Sequence, residues 1–206
     1  MISAPTPLAT YRRAQFRTHR FLIRPARDND QELMYSWRSD SATARFLSGA
    51  APASIESQRQ WFARVQNDTA YSYHIVEDNG EPIGFTSMFN ADPARAEAEW
   101  GLIISKQRDP GDGRIVAPLC CKCAFELAGL EALYTCINEG NTGAVRRVEQ
   151  MGAKLFEGPS AYHKKGEILL RISADNFKTQ LLALIDSKPS LSKELDVEMH
   201  RAEEAE

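Results

Sequence analysis

Two spacings of apolar residues divide this chain into elements. Phe21-Leu22-Ile23 is a short apolar run stopped by Pro25, which predicts a strand. Leu33, Met34 and Trp37 then recur at helical spacing within residues 32–38, with Asp28 and Asp30 ahead of them as capping residues. Residues 43–47 read as a further helical turn and Ala50-Ala51-Pro52 as a break. Ser54 opens the clearest helix, with Trp61, Phe62 and Val65 on one face. The spacing then drops to two. Residues 71–77 alternate as a strand, Asp78-Asn79-Gly80 turns the chain, and residues 82–89 return as a hairpin partner. Asp92-Pro93 turns it again, and residues 96–104 complete a three-strand antiparallel meander.

A glycine-rich bend follows, then an apolar helix to about Ala128 in which Pro118 should distort the first turn. Residues 132–137 predict a strand parallel to the one before the helix, because a helical crossover joins them. Residues 141–151 predict a helix ending at Gly152, residues 154–156 and 167–172 a closing strand pair, and residues 177–185 an amphipathic helix. The order β, α, α, β, β, β, bend-α, β, α, β, β gives an α/β fold with a mixed sheet and helices on both faces. Residues 1–18 show no periodicity and read as a loose basic arm, residues 19–175 as the domain, and residues 176–206 as a C-terminal helix with an acidic tail.

Composition narrows the function classes. The chain has 206 residues and is 43% hydrophobic, enough for one domain with a substantial core. A net charge of −3 gives no global pull toward nucleic acid. Arg12, Arg13, Arg17, Arg20, Arg24 and Arg27 crowd the start, while Glu194, Asp196, Glu198, Glu203, Glu204 and Glu206 crowd the end. The arginine cluster is read as a solvated arm and edge strand in preference to an anion or RNA contact. No apolar run approaches the roughly 20 residues of a membrane span, and no secretory segment opens the chain, so a cytoplasmic protein without membrane or nucleic-acid partners is expected. Cys120, Cys121, Cys123 and Cys136 lack the paired C-x-x-C spacing of a zinc site; they are read as reduced, buried residues, and no metal is expected.

The candidate chemistry lies in the bend, Arg108-Asp109-Pro110-Gly111-Asp112-Gly113. Glycines let a ligand approach the main chain, a helix start gathers N–H groups, and Arg108 adds a cationic fork. No Lys-Ser or Lys-Thr follows Gly113, which excludes a Walker loop, and Val116 stands where a dinucleotide fingerprint needs its third glycine. Two readings stay open at this point: a phosphate cradle, or an ordinary surface turn built on Pro-Gly and Asp-Gly.

Three segments in one order resemble the GCN5-related N-acetyltransferases. Arg108 to Gly113 matches the family's [QR]-x-x-G-x-[GA] loop, Asn141-Thr142-Gly143-Ala144 through Gly152 is similar to its N-x-x-[AS] helix, and Ala98-Glu99-Trp100-Gly101-Leu102 resembles the strand before the loop. The resemblance covers about residues 19–175. Trp37-Arg38-Ser39-Asp40 and the helix ending in Trp61-Phe62 resemble the branch that acetylates ribosomal proteins and nucleotide sugars. It implies a mostly antiparallel sheet with a splayed acetyl-CoA cleft, acetyl-CoA as cosubstrate, and a small-molecule amine as partner. An amino-sugar nucleotide is the leading acceptor and a protein N-terminus the alternative; a homodimer is compatible with the helix at residues 177–185.

The same resemblance implies residue roles. The edge of Leu102, Ile103 and Ile104 would pair with the pantetheine arm, and the Ile103 N–H would face the thioester oxygen, where such a donor contributes about 3–4 kcal/mol. Arg108, Gly111, Asp112, Gly113 and Arg114 would hold the diphosphate, and Asn141 would contact the arm or cap its helix. Glu99, Glu97 and His74 are the candidate bases, with Glu99 aligned best. Trp37 and Arg38 are acceptor-side candidates, with a core anchor and a surface salt bridge as their ordinary alternatives. Val148 and Ala144 stand where relatives carry Tyr or Ser as the acid, and Tyr134, Tyr162 and His163 are the possible substitutes. The missing hydroxyls also motivate a binding-only alternative, a non-catalytic acyl-CoA-binding protein.

Overall fold

Strands and helices form where the apolar spacing calls for them. The strands are β1 (Ala14–Arg17), β2 (Phe21–Pro25), β3 (Ser72–Asp78), β4 (Glu81–Asp92), β5 (Glu97–Ile104), β6 (Ala132–Asn138), β7 (Lys154–Leu155), β8 (Glu167–Ser173) and β9 (Glu198–Arg201). The helices are α1 (Pro7–Arg13), α2 (Gln31–Ser39), α3 (Ser41–Ala44), α4 (Ile55–Val65), α5 (Asp112–Glu126), α6 (Thr142–Gln150), α7 (Ala174–Ser187) and α8 (Ser190–Glu194). The computed structural model describes residues 7–47, 51–105, 111–157 and 166–201. Among these residues the strands make one sheet in the order β7-β8-β6-β5-β4-β3-β2-β1-β9. Every neighbouring pair is antiparallel except β5 and β6. The fold is the mixed, mostly antiparallel α/β architecture that the element order implies.

Local chemistry sets the boundaries. Asn79 and Gly80 sit at φ 50° and 83°, the geometry a two-residue type I′ hairpin requires between β3 and β4. Ser54 accepts a hydrogen bond from the Ser57 N–H at 3.1 Å while Ser57 Oγ accepts one from the Ser54 N–H, so α4 starts on a reciprocal cap. Pro118 lies within α5, and the helix continues past it to Glu126.

Alternation along the meander sorts side chains onto two faces. Val76, Ile83, Met88 and Trp100 join α5 and α7 in the main core, while Ile75 and Phe85 pack with Met34 and Trp37 of α2 on the other face. Trp37 stacks on Phe85 with ring centroids 6.3 Å apart. It is therefore a core anchor, and its lining of the acceptor site is not observed.

The two chain ends differ from the expectation. Residues 7–17 are not loose: α1 and β1 bury Leu8, Tyr11, Ala14 and Phe16 in the main core, and β1 pairs with β2 and β9. Nor is the region after Pro189 only a solvated tail, since α8 buries Leu191, Leu195 follows it into the core, and β9 closes the sheet beyond β1. The reason is mutual. Each segment is too short to bury its apolar residues alone, and pairing between the two ends satisfies both backbones. The α7 helix docks on the domain itself, with Phe177 and Leu181 buried and Phe177 5.3 Å from Phe125.

Candidate active site

The site begins where the parallel pair comes apart. Strands β5 and β6 share a register only at Glu97–Ala132, Ala98–Leu133 and Glu99–Tyr134. Beyond that point β5 stays paired with β4 out to Ile104, and β6 stays paired with β8 out to Asn138. Their facing edges therefore diverge into an open cleft of about 320 Å³, lined by Trp100, Gly101, Leu102 and Ile103 on one side and Thr135, Cys136 and Ile137 on the other. Glu99 stands at the apex.

Of the residues expected here, Glu99, Arg38, Leu102, Ile103 and Asn141 line the cleft. Ile104 does not; it pairs with Gly84 and packs against the main core. Asn141 caps α6, its side-chain oxygen accepting the Ala144 N–H at 3.3 Å, so its capping role is realised. Arg108 lies outside the described residues, as do Tyr162 and His163.

At the start of α5 the expected residues divide in their uses. Gly111 has φ −67°, so the bend does not draw on glycine's left-handed freedom there. The Asp112 carboxylate is buried, and its Oδ1 accepts from Arg20 Nη2 at 2.7 Å. Gly113 sits close against α6. A Cβ there would stand 3.0 Å from Nη1 of Arg147, so the guanidinium of α6 lies directly against the first turn of α5. Arg147 also lines the cleft and makes no ion pair or hydrogen bond among the described residues. Burial, with the charge of Arg114 adding to it, lowers its pKa, yet a guanidinium stays charged. Asp112, Gly113 and Arg114 themselves are not among the lining residues.

The three candidate bases have different surroundings. Glu97 is held in a network outside the cleft, accepting from the Tyr134 hydroxyl at 3.1 Å and pairing with Arg95 at 2.9 Å and Arg171 at 3.5 Å. That network also occupies Tyr134, which does not reach the cleft. His74 is buried on the main-core face of β3 between Tyr11 and Phe16, at centroid distances of 5.0 and 5.6 Å. Glu99 alone lines the cleft; it is 8% exposed, and Asn90 donates to its Oε2 at 3.4 Å. A bulge positions that donor. Phe89 pairs with Glu99 and Asp92 with Glu97, so two residues of β4 oppose one of β5, and Asn90 takes φ 52°.

The opposite wall is aromatic: Phe46, Trp61, Tyr71, Tyr73, Phe85 and Phe89. Arg38 is half-buried within it, its guanidinium 5.0 Å from the Trp61 ring centroid. Its Nη1 donates to Gln58 Oε1 at 2.8 Å, and no carboxylate pairs with it among the described residues. Burial lowers its pKa. The Tyr73 hydroxyl is raised, by burial first and then by Tyr71 and Glu99 nearby, with Arg38 opposing. Val148 and Ala144 line the cleft as apolar surface. The burial of Cys120, Cys121 and Cys123 in α5 raises their thiols, Cys120 to about 12.

The sequence reading missed Arg147 and the aromatic wall. Arg147 was visible three positions after Ala144 in the motif helix, where a charge facing inward is unusual in an amphipathic pattern. Nothing local marks Trp61 or Tyr73 as other than core.

Comparison with known proteins adds a family and a fold. The family model described as an acetyltransferase (GNAT) domain matches residues 20–154. The spermidine N-acetyltransferase of Vibrio cholerae, in complex with CoA and spermine, superposes with a TM-score of 0.69 at 16% identity, covering 77% of this chain and 98% of that one. FdhC in its apo form, a nucleotide-linked sugar GNAT, gives 0.67 at 18% identity over 82% and 96%. A putative acetyltransferase from T. thermophilus gives 0.68 at 17% identity over 91% and 100%. No curated protein matches.

Proposed function

The chain belongs to the GNAT family of acetyl-CoA-dependent N-acetyltransferases, and from that premise we propose that it acetylates a primary amine on a small, anionic, ring-bearing molecule, an amino-sugar nucleotide fitting best. The observation that carries the acceptor class is the Arg38 wall. An aromatic surface offers stacking to a flat ring, and a half-buried guanidinium with no carboxylate partner attracts an anion. A polyamine would ask for several carboxylates, and Glu99 is the one acidic side chain among the lining residues.

The residues present fit acetyl-CoA. The diverging β5 edge has the main-chain groups of Leu102 on the cleft side for an amide-bearing arm. The first turn of α5 and the Arg147 guanidinium beside Gly113 suit a diphosphate. When bound, the cosubstrate supplies an acetyl group activated as a thioester.

The chain's own groups then manage protons and charge. Glu99 takes a proton from the ammonium form of the acceptor, directly or through one water. The Ser105 N–H bonds to the Ile83 carbonyl at 2.6 Å, so by alternation the expected donor Ile103 faces β4, and the Leu102 N–H on the free edge serves as donor to a developing oxyanion. Tyr73 keeps its proton at neutral pH. Burial raises its pKa above the ordinary value, itself above the roughly 8.5 of a thiol, so it is a weaker acid than the thiol whose anion it would protonate. A thiolate of that basicity departs without one, which is why apolar Val148 and Ala144 are compatible with turnover.

The test is CoA release from acetyl-CoA by the full chain with nucleotide-linked amino sugars, polyamines and peptides bearing free N-termini. The amino-sugar nucleotides should give the highest kcat/KM; a polyamine or peptide equalling them would overturn the acceptor assignment. Glu99→Gln should lower kcat about 100-fold or more while acetyl-CoA affinity stays within about twofold. Unchanged turnover in that variant would remove Glu99 from the chemistry.

A further inference from the structure

Behind Arg38 stand two buried amides that the proposed reaction does not yet use. Gln58 of α4 is 0% exposed and Gln31 of α2 is 1% exposed. Gln58 Nε2 donates to Gln31 Oε1 at 2.9 Å, and Gln31 Nε2 donates to the Arg27 carbonyl at 3.1 Å. The ends of this relay fix its polarity. A main-chain carbonyl can only accept, so Gln31 must present its nitrogen to Arg27 and its oxygen to Gln58. Gln58 must then present its nitrogen to Gln31 and its oxygen to Arg38, and a guanidinium can only donate. Neither amide can flip without placing two acceptors or two donors together in a buried site. The relay thus holds Nη1 of Arg38 from behind, while Trp61 supports its face.

Its second property is neutrality. Arg24, elsewhere in the molecule, is held by Asp30 at 2.8 Å and Glu77 at 2.6 Å, and its charge is cancelled. Gln58 fixes Arg38 equally closely without any charge. The cleft keeps a positioned cation whose charge is unspent.

We propose that Gln58, braced by Gln31, is a positioning residue that sets the charge preference of the acceptor site, so that the enzyme selects an acceptor carrying an anionic group. The inference rests on the acceptor reading above and adds the residue that determines it. A glutamate at position 58 would be nearly isosteric and would neutralise Arg38, while setting its second oxygen against Gln31 Oε1. A methionine would remove the hold while leaving the charge.

The test is steady-state kinetics of wild type, Gln58→Glu and Gln58→Met, with a nucleotide-linked amino sugar and with spermidine as acceptors, each variant checked for folding by its thermal transition. In Gln58→Glu, kcat/KM for the anionic acceptor should fall about 10-fold or more, mainly through KM. The ratio of anionic to cationic acceptor should shift toward spermidine, and KM for acetyl-CoA should stay within about twofold. Gln58→Met should raise KM for the anionic acceptor with a smaller change in that ratio, and it provides the test if the glutamate variant does not fold. A purely structural role would lower the thermal transition and leave the ratio unmoved; that result in a folded variant overturns the proposal. If the wild-type enzyme instead turns over spermidine and ignores the anionic acceptor, the acceptor reading itself is the part that fails, and this inference falls with it.

Discussion

Strand β2 and the cleft both bury guanidinium groups, and they treat them in opposite ways. At the entry to β2, Arg20 makes two hydrogen bonds to Asp78, at 2.9 and 2.6 Å, and a third to Asp112 at 2.7 Å. Arg24 is held by Asp30 and Glu77. Both are pushed above the ordinary arginine value, Arg20 chiefly by its hydrogen bond to Asp78 and Arg24 chiefly by that to Asp30. In the cleft, Arg38 and Arg147 have no carboxylate among the described residues, and burial lowers both. Desolvating a cation costs free energy unless a partner offsets it. The arginines at β2 receive that offset from carboxylates inside the fold; Arg38 has only an amide and an aromatic face, and on the function proposed above an anionic ligand would complete it.

The largest expected effect tests the first half of the contrast. Arg24→Met leaves the Asp30 and Glu77 carboxylates, with side chains only 8% and 12% exposed, facing each other without a cation. Removing one partner of such a buried group costs about 3–5 kcal/mol. Urea unfolding should show that loss, while kcat/KM per folded molecule stays near the wild-type value. Arg38→Met in the same experiment should cost less, about 1–3 kcal/mol, since it strands one neutral acceptor, Gln58 Oε1, and no carboxylate among the described residues. Equal losses for the two variants would erase the distinction.

One buried group outside the cleft breaks the division and sharpens it. His74 is 1% exposed; its Nδ1 meets Ser72 Oγ at 3.1 Å, and its Nε2 has no hydrogen-bond partner among the described residues. Burial lowers its pKa to about 4, against about 6.5 unfolded. Between those values the unfolded chain binds a proton that the native state refuses, so stability rises with pH there. As pH falls from 7 to 4, the wild type should lose about 3 kcal/mol more than His74→Phe. The check is the difference in unfolding free energy across that window. Parallel curves would mean that His74 is not held neutral, and His74 would no longer count as an unpaired buried group.

The contrast also marks how far the sequence could be read. Where a signal is local it was legible: Asn79-Gly80 announces its hairpin, Ser54 its cap, and the Asn141 segment its helix start. Three short motifs in order sufficed for the family and for the splayed site, because each motif depends on backbone geometry that neighbouring residues dictate. What escaped depends on distant partners. Tyr11 and Phe16 look like part of a loose arm until β9 pairs with β1 from the far end of the chain. Asp30 reads as a helix cap, but its carboxylate is taken by Arg24 and by the Arg27 N–H at 2.7 Å. Arg38 and Arg24 are the same residue type, and neither segment names its side chain's partner. Only the fold decides that one meets two carboxylates and the other an amide.

The smallest expected effect addresses the other cleft arginine. If the Arg147 charge is reserved for a diphosphate, Arg147→Gln should raise KM for acetyl-CoA about 10-fold, which corresponds to about 1.4 kcal/mol. Its stability should not fall, because no carboxylate is left behind. The size is modest because the main-chain groups at the start of α5 share the load. S-acetylpantetheine, which carries the thioester and arm without the diphosphate, separates the causes. Wild type and variant should use it equally, with the same kcat/KM within about twofold. A matching loss with the truncated donor would place the Arg147 effect on the arm or on packing against Gly113, and the guanidinium would then belong with the arginines that build the fold.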